Sequence, residues 1–297
     1  MTPRTYSSPA AFKQSLEQHL RSVTKTGAEF ARKRQLLVFD RFLARIATAL
    51  GDAVTLKGGL VLELRLKRAR TTNDVDLRLM GSPDDLLATL QEAGRKDLGD
   101  FMAFEVGLDN EHPEIVNDGM QYDGLRFRAE CRLAGKVYGD PFGVDVAFGD
   151  PIFGEPEKIV TEDVLAFAGI TPPTVRLYPI ESHIAEKLHS YTMPRLRPNS
   201  RVKDLPDIAL LATVRDLDSA ALRAAIEQTF NHRATHPVPT SVPAPSEVWA
   251  SVYERIAEND RLQWRTIVEV TEAVQKFLNP MLAGTNARWK TETWDWQ

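Results

Sequence analysis

The chain reads as an α+β protein, a mixed strand-and-helix first half joined to a helical second half. Three observations give that class. Strand-like and helix-like segments alternate between residues 53 and 148, as in Ala53-Val54-Thr55-Leu56 and the period-two run Asp74-Val75-Asp76-Leu77-Arg78-Leu79. Pro172-Pro173 then interrupts the pattern. From Ile180 onward apolar residues recur mainly at helical spacing. The division therefore falls at residue 178, with a mixed core and its N-terminal helices over 1–178 and a helical domain over 179–297.

Residues 8–50 read as helices. Ser8 is placed to cap and Pro9 to occupy the first turn, and Phe12, Leu16 and Leu20 form one stripe. Phe39, Phe42, Leu43, Ile46 and Leu50 continue the pattern. The strand at 53–56 runs into Lys57-Gly58-Gly59 and a helix over Leu60 to Lys67. Ser82-Pro83-Asp84-Asp85 opens a helix over Leu86 to Ala93, and strands are expected over Leu125 to Leu133 and Val144 to Phe148. In the second half helices are expected at about 180–192, 205–215, 219–230 and 246–278, with PVPTSVPAP (237–245) as a Pro-rich linker.

Composition excludes some classes. The net charge of −4 argues against a protein that coats nucleic acid indiscriminately, which would need excess positive charge to replace counterions. The lone Cys131 forbids an intrachain disulfide and sits in a strand-like stretch, so it is expected to be structural. The N-terminus lacks a signal-peptide pattern, and no stretch approaches the roughly 20 apolar residues of a membrane helix. A cytoplasmic, soluble protein is expected. Without a heptad or a broad apolar stripe, it is expected to be a monomer.

The sharpest chemical feature is Gly58-Gly59 followed by Asp74-Val75-Asp76. Residues i and i+2 of a strand share a face, so Asp74 and Asp76 project together and repel unless a cation lies between them. Mg²⁺, a hard cation, takes such oxygen donors and commonly bridges them to phosphates. The glycines stand where a strand enters a helix, a place where backbone N–H groups and the helix dipole favour a phosphate. Asp145, a lone charge in an apolar strand, is either a third metal carboxylate or half of an ion pair.

In the helical half, Lys187 lies beside the stripe Ile184, Ala185 and Leu188, from which it either reaches a cleft or remains solvated. Asp204 reads as a helix N-cap with Pro206 in the first turn. Asp207 either complements the helix dipole or orients Lys187 or contacts substrate. His183 and His189 have no zinc-like spacing and read as surface or core-edge groups. Two basic clusters, Arg65, Lys67, Arg68 and Arg70, and Arg195, Arg197, Arg201 and Lys203, either rim one phosphate-attracting cleft or decorate solvated loops. Trp289, Trp294 and Trp296 are expected to pack against the body rather than stack bases.

Taken together, Lys57-Gly58-Gly59, Arg70-Thr71-Thr72-Asn73-Asp74-Val75-Asp76, Ile184-Ala185-Glu186-Lys187-Leu188-His189 and Lys203-Asp204-Leu205-Pro206-Asp207-Ile208 resemble the AbiEii/MenT nucleotidyltransferase-like toxins. The resemblance spans roughly residues 35–215. It implies a DNA polymerase β-like nucleotidyltransferase sheet with flanking helices, an NTP, Mg²⁺ (or Mn²⁺), and a cognate antitoxin. It further implies nucleotide transfer to the 3′ acceptor end of tRNA, which blocks translation and growth. Asp74 and Asp76 would hold metal, with Asp145 as a third candidate. Lys57, Gly58, Gly59, Thr72 and Lys187 would face the nucleotide. Lys187 and Asp207 match the lysine and aspartate needed for toxicity, and Thr72 stands where some relatives carry a phosphorylated hydroxyl. Leu60 replaces the hydroxyl residue that many relatives carry after the glycines, and Pro206 is unusual at the start of its helix. The alternatives are nucleotidylation of a small molecule or protein hydroxyl, and an inactive nucleotide-binding module.

Overall fold

The computed structural model describes residues 4–66, 71–81, 85–109, 114–117, 120–195 and 201–297. Lys67, Arg68, Arg70, Ser82, Pro83, Asp84 and Arg197 fall outside these residues.

Two helices lead the chain, α1 (Pro9–Ser22) and α2 (Gly27–Leu50). Each has the cap its sequence provides: Ser8 accepts from the Ala11 N–H at 3.3 Å, and Thr26 from the Glu29 N–H at 3.1 Å. The mixed region follows as β1 (Val54–Lys57), α3 (Gly58–Arg65), β2 (Asp74–Leu79), α4 (Leu86–Arg95), β3 (Met102–Leu108), β4 (Glu114–Asn117), β5 (Met120–Leu133), β6 (Lys136–Val137), β7 (Phe142–Phe148), β8 (Glu157–Val160) and β9 (Thr174–Leu177). The helical region holds α5 (Ile180–Thr192), α6 (Asp204–Leu211), α7 (Ser219–Arg233), α8 (Ala250–Asn259) and α9 (Ile267–Leu282). A small three-stranded sheet closes it: β10 (Leu217–Asp218), β11 (Arg288–Lys290) and β12 (Asp295–Trp296).

The large sheet runs β3-β5-β7-β2-β1-β9-β8, with β4 and β6 paired to β5. β2 and β7 are parallel, and β1 and β5 flank them antiparallel. Alternation sorts the two faces. Val75, Leu77 and Leu79 of β2, with Phe142, Val144 and Val146 of β7, are buried against α1, α2 and α4. Phe39 and Phe42 of α2 meet the Phe142 ring edge-on, at 5.0 and 5.4 Å. The opposite face carries Asp74, Asp76 and Asp145. A second apolar cluster, built on α5, α6, α7 and α9 and including Leu62 of α3, lies on that side.

Several expectations change in detail. The helix anticipated over 246–278 is two helices, because Thr266 and Glu269 form a capping box that starts α9 afresh and Arg261 adopts φ 52°. The helix expected over 205–215 ends at Leu211. Asp204 does not act as an N-cap; it lies within α6 and its carboxylate is turned to Lys187. His183 and His189, expected at the surface or the core edge, are 1% and 0% exposed. The tryptophans do pack inward: Trp289 is buried, its Nε1–H donates to the Ala212 carbonyl at 2.9 Å, and Trp296 stacks on Phe277. No described helix is long and apolar enough to cross a membrane.

Cys131 is buried, and burial pushes its thiol up to about 12. The thiolate is the reactive species. The native protein should therefore resist maleimide labelling at pH 7.5 and react fully only after denaturation; rapid native labelling would contradict this burial.

Candidate active site

Strand register assembles the site. Across four neighbouring strands, Lys57 of β1 pairs with Asp76 of β2, Asp76 with Asp145 of β7, and Asp145 with Arg126 of β5. The result is one transverse row reading cation, carboxylate, carboxylate, cation. Asp74 lies two residues along, opposite Gly143. Two glycines make room for these carboxylates. A Cβ on Gly58 would come within 1.9 Å of Asp76 Oδ2, and one on Gly143 within 2.7 Å of Asp74 Oδ1. Gly58 also has φ +70°, a conformation unfavourable for L side chains.

The row itself balances two cations against two carboxylates, and Asp74, two residues along the same face, adds a third negative charge. Burial raises the Asp76 carboxyl to about 6, and Asp145 and Asp74 add to the effect while Lys57 and Lys187 oppose it. Asp74 is raised as well, by burial first and then by Asp145. Among the described residues neither carboxylate forms an ion pair. Like charges crowded on one face, raised in spite of the cations around them, fit a hard divalent cation, which takes carboxylate oxygens as ligands. Asp145 is differently placed. Of its two readings the ion pair is present: Arg126 Nε donates to Oδ1 at 2.7 Å and Nη2 to Oδ2 at 2.8 Å. With Asp145 turned to Arg126, Asp74 and Asp76 are the pair that offers carboxylate oxygens, and no convergent group of three His, Cys, Asp or Glu stands assembled among the described residues.

The row opens into a cavity of about 350 Å³. Gly58, Gly59, Thr72, Asp74 and Asp76 line one side; His183, Glu186, Lys187 and Asp204 line the other, with Arg126, Arg201 and Lys203 also at the wall. α3 begins at this cavity and has no side-chain cap, so its first N–H groups are not claimed by a capping side chain. Thr72 is held by its backbone. Its N–H donates to Glu63 Oε1 at 2.8 Å and its carbonyl accepts from Arg32 at 2.9 Å, while Glu63 and Arg32 are themselves ion-paired.

The helical wall supplies the counter-charges. Lys187 Nζ lies 2.7 Å from Asp207 Oδ2 and 3.3 Å from Asp204 Oδ1. Of the readings open for Asp207, orientation of Lys187 is the one its geometry supports. Lys57 turns away from its row into a second network, with Nζ 2.6 Å from Asp150 and 3.1 Å from Glu186. Arg233 lies 3.4 Å from Glu186, and the Tyr178 hydroxyl donates to it at 2.8 Å. Burial opposes the Glu186 charge, but Lys57 and Arg233 outweigh it and hold the carboxyl below its usual value. Arg65, from the first basic cluster, instead pairs with Glu157 at 2.9 Å.

Arg126, Gly143, Asp150, Glu186 and Arg233 went unnoticed as site residues in the sequence. The readable signal was the alternation of β5, which would have put Arg126 on the polar face once the register to Asp145 was known.

Burial also lowers His183 and His189, each to about 3. Their native pKa values fall below the ordinary 6.5, so protonation favours the unfolded chain. The stability they contribute is intact above pH 6.5 and is lost as the pH falls toward 3, at about 1.4 kcal/mol per pH unit for each group. By pH 5 the pair should cost on the order of 2–4 kcal/mol. Urea titrations at pH 7.5 and 5.0 should show that loss, and His183→Asn should remove part of it; a slope unchanged by the substitution would refute the assignment.

Comparison with known proteins gives the fold and the family. The structure of MenT4, a nucleotidyltransferase toxin from Mycobacterium tuberculosis H37Rv, matches with a TM-score of 0.60 at 16% identity, over 95% of this chain and 92% of that one. The fold is therefore shared. JHP933 from Helicobacter pylori matches with a TM-score of 0.47 at 13% identity, over 87% of this chain and 95% of that one. No curated protein sequence matches the chain. The family model described as nucleotidyl transferase AbiEii toxin, type IV TA system, matches residues 41–296. On that match, the chain belongs to the AbiEii family of toxin nucleotidyltransferases of type IV toxin–antitoxin systems.

Proposed function

We propose that this toxin moves a nucleotide from an NTP to the 3′ acceptor end of tRNA in the cytoplasm, which stops translation and growth until a cognate antitoxin intervenes. The observation that carries the reading is the juxtaposition of Asp74 and Asp76 with the uncapped start of α3 on one side of the cavity and Lys187 on the other. Asp74 and Asp76, with Asp145 as a third donor, would hold Mg²⁺ or Mn²⁺. A bound ion of this kind neutralises phosphate charge and lowers the pKa of an attacking hydroxyl.

The chain's own groups do the rest. The N–H groups of Gly58 and Gly59, at the positive end of α3, are offered to phosphate oxygens. They act without a neighbouring hydroxyl, since Leu60 follows. Lys187 adds a point charge whose position is fixed by Asp204 and Asp207. Lys57 acts from behind, holding the β1–α3 junction against Asp150 and Glu186 while its charge offsets Asp76. Arg126, Arg201 and Lys203 give the mouth a positive rim suited to a polyanionic acceptor. Thr72 lines the same cavity, where a phosphate on its hydroxyl would add about −2 charge next to the carboxylates. We read the chain as a monomer that divides at residue 178.

The test is purified protein with Mg²⁺, total tRNA and each α-labelled NTP in turn, beside Asp74→Ala. Label on tRNA from the wild type alone, abolished by EDTA, is expected. Pyrophosphate release without labelled tRNA would move the acceptor to a small molecule or a protein hydroxyl. Folded protein with no cation-dependent turnover would leave a nucleotide-binding module.

A further inference from the structure

The transverse row contains a contact that the transfer reaction as described does not use, the two-point pairing of Arg126 with Asp145. Register alone places the two side by side on β5 and β7, and the guanidinium engages both carboxylate oxygens at 2.7 and 2.8 Å. Such a fork is the strongest geometry an arginine makes with a carboxylate. It claims the third acid on the sheet side of the cavity, so that of Asp74, Asp76 and Asp145 it is Asp145 alone that carries an ion pair among the described residues. Yet the arginine is not locked in place: its side chain is 34% exposed and lies on the cavity wall.

We propose that Arg126 is a substrate-binding residue that stands parked on Asp145 in the metal-free toxin. In this proposal a divalent cation displaces it, frees Asp145, and leaves the guanidinium to clasp the triphosphate of the NTP. The inference rests on the reading that cation and NTP share this cavity. Its logic is one of charge. Without a cation, three carboxylates crowd one wall, and Arg126 is the neutralising group that the sheet register supplies. A divalent ion beside Asp74 and Asp76 neutralises them and repels the guanidinium, weakening the reason for the fork. An NTP then brings several negative charges to the same wall, and a planar guanidinium suits phosphate oxygens as well as it suits a carboxylate. One side chain thus serves as a stand-in for the cation and afterwards as a ligand for the substrate.

The experiment measures binding without turnover. Mn²⁺ affinity of the NTP-free protein is read from the free-ion EPR signal for wild type, Arg126→Ala and Arg126→Lys, with near-UV circular dichroism as a check of folding. Binding of a non-hydrolysable NTP analogue is then measured at saturating Mn²⁺. R126A should bind Mn²⁺ about tenfold more tightly and the analogue roughly 10- to 100-fold more weakly. R126K keeps the charge but loses the fork, so it should fall between the two in both measurements. If R126K binds Mn²⁺ as wild type does, net charge alone sets the affinity and the parked fork is wrong. If the wild type binds the analogue with Mn²⁺ and R126A binds it equally well, the move to the triphosphate is wrong. If R126A does not fold, the R126K measurements decide. A folded wild type that shows no Mn²⁺-dependent binding of the analogue would overturn the reading of the cavity, and this inference with it.

Discussion

Asp76→Asn should abolish nucleotidyl transfer, by about a thousandfold or more, and yet make the metal-free protein more stable. The loss follows from position. Asp76 stands at the centre of the charged row, between Lys57 and Asp145, with its carboxylate over Gly58 at the start of α3. If Asp76 holds the cation as proposed, losing that carboxylate removes several kcal/mol of charge stabilisation from the transition state. The gain in stability follows from the same crowding. The Asp76 carboxyl is raised by burial and by its acidic neighbours to about 6. Its folded value thus exceeds the unfolded one, so the native state binds the proton more tightly. Stability therefore declines as the pH rises from about 4 to 6, and the full penalty applies above 6. Because the group is only half-buried and lines the cavity, screening reduces the penalty to about 1–2 kcal/mol. Asn bears no charge and escapes it. Thermal unfolding in EDTA at pH 8 should show a higher Tm for the variant, and the difference should vanish near pH 4. A variant that retains transfer activity would remove Asp76 from the site.

Asp100→Ala should destabilise the fold by roughly 3–5 kcal/mol without touching the cavity. Asp100 is completely buried beneath α2. It accepts from Arg41 Nε at 2.7 Å and from Arg45 Nη1 and Nη2 at 2.9 and 2.6 Å, and Arg45 also donates to the Met102 carbonyl at 2.5 Å. Burial works against the Asp100 charge, but the Arg45 hydrogen bonds outweigh it and hold its carboxyl below the usual range. Alanine would leave two guanidiniums in the core with one carboxylate fewer. That is costlier than replacing the whole cluster with apolar residues. A urea midpoint within experimental error of the wild type would show that the cluster contributes little. The protein that does fold should keep its affinity for NTP, because Asp100 and the Arg41–Arg45 turn of α2 belong to the core on the far side of the sheet from Asp74 and Asp76.

The residues with the clearest chemistry were legible in the sequence because their geometry is local. Gly58-Gly59 falls at a strand-to-helix junction, and Asp74 and Asp76 share a strand face, whatever the rest of the chain does. The α1 cap, the α4 start and the helical second half were legible for the same reason. Their signals lie within three or four residues. The Thr266–Glu269 capping box is equally local, and it divides a stretch whose apolar periodicity alone reads as one helix.

What only the tertiary structure decided is which distant segments meet. Asp145 faces Arg126 rather than standing free because β5 and β7 pair in one particular register. A shift of a single residue would have turned the two to opposite faces. Lys57 points to Asp150 and Glu186, and Lys187 to Asp204 and Asp207, because the helical region packs against the polar face of the sheet. The same packing buries His183 and His189 fully, where spacing alone left them at the surface or the core edge. By itself the sequence determined the chemistry on offer, since carboxylate spacing and glycine freedom are set along the chain. The pairing of those charges was decided in three dimensions, because burial and register depend on residues far away in sequence.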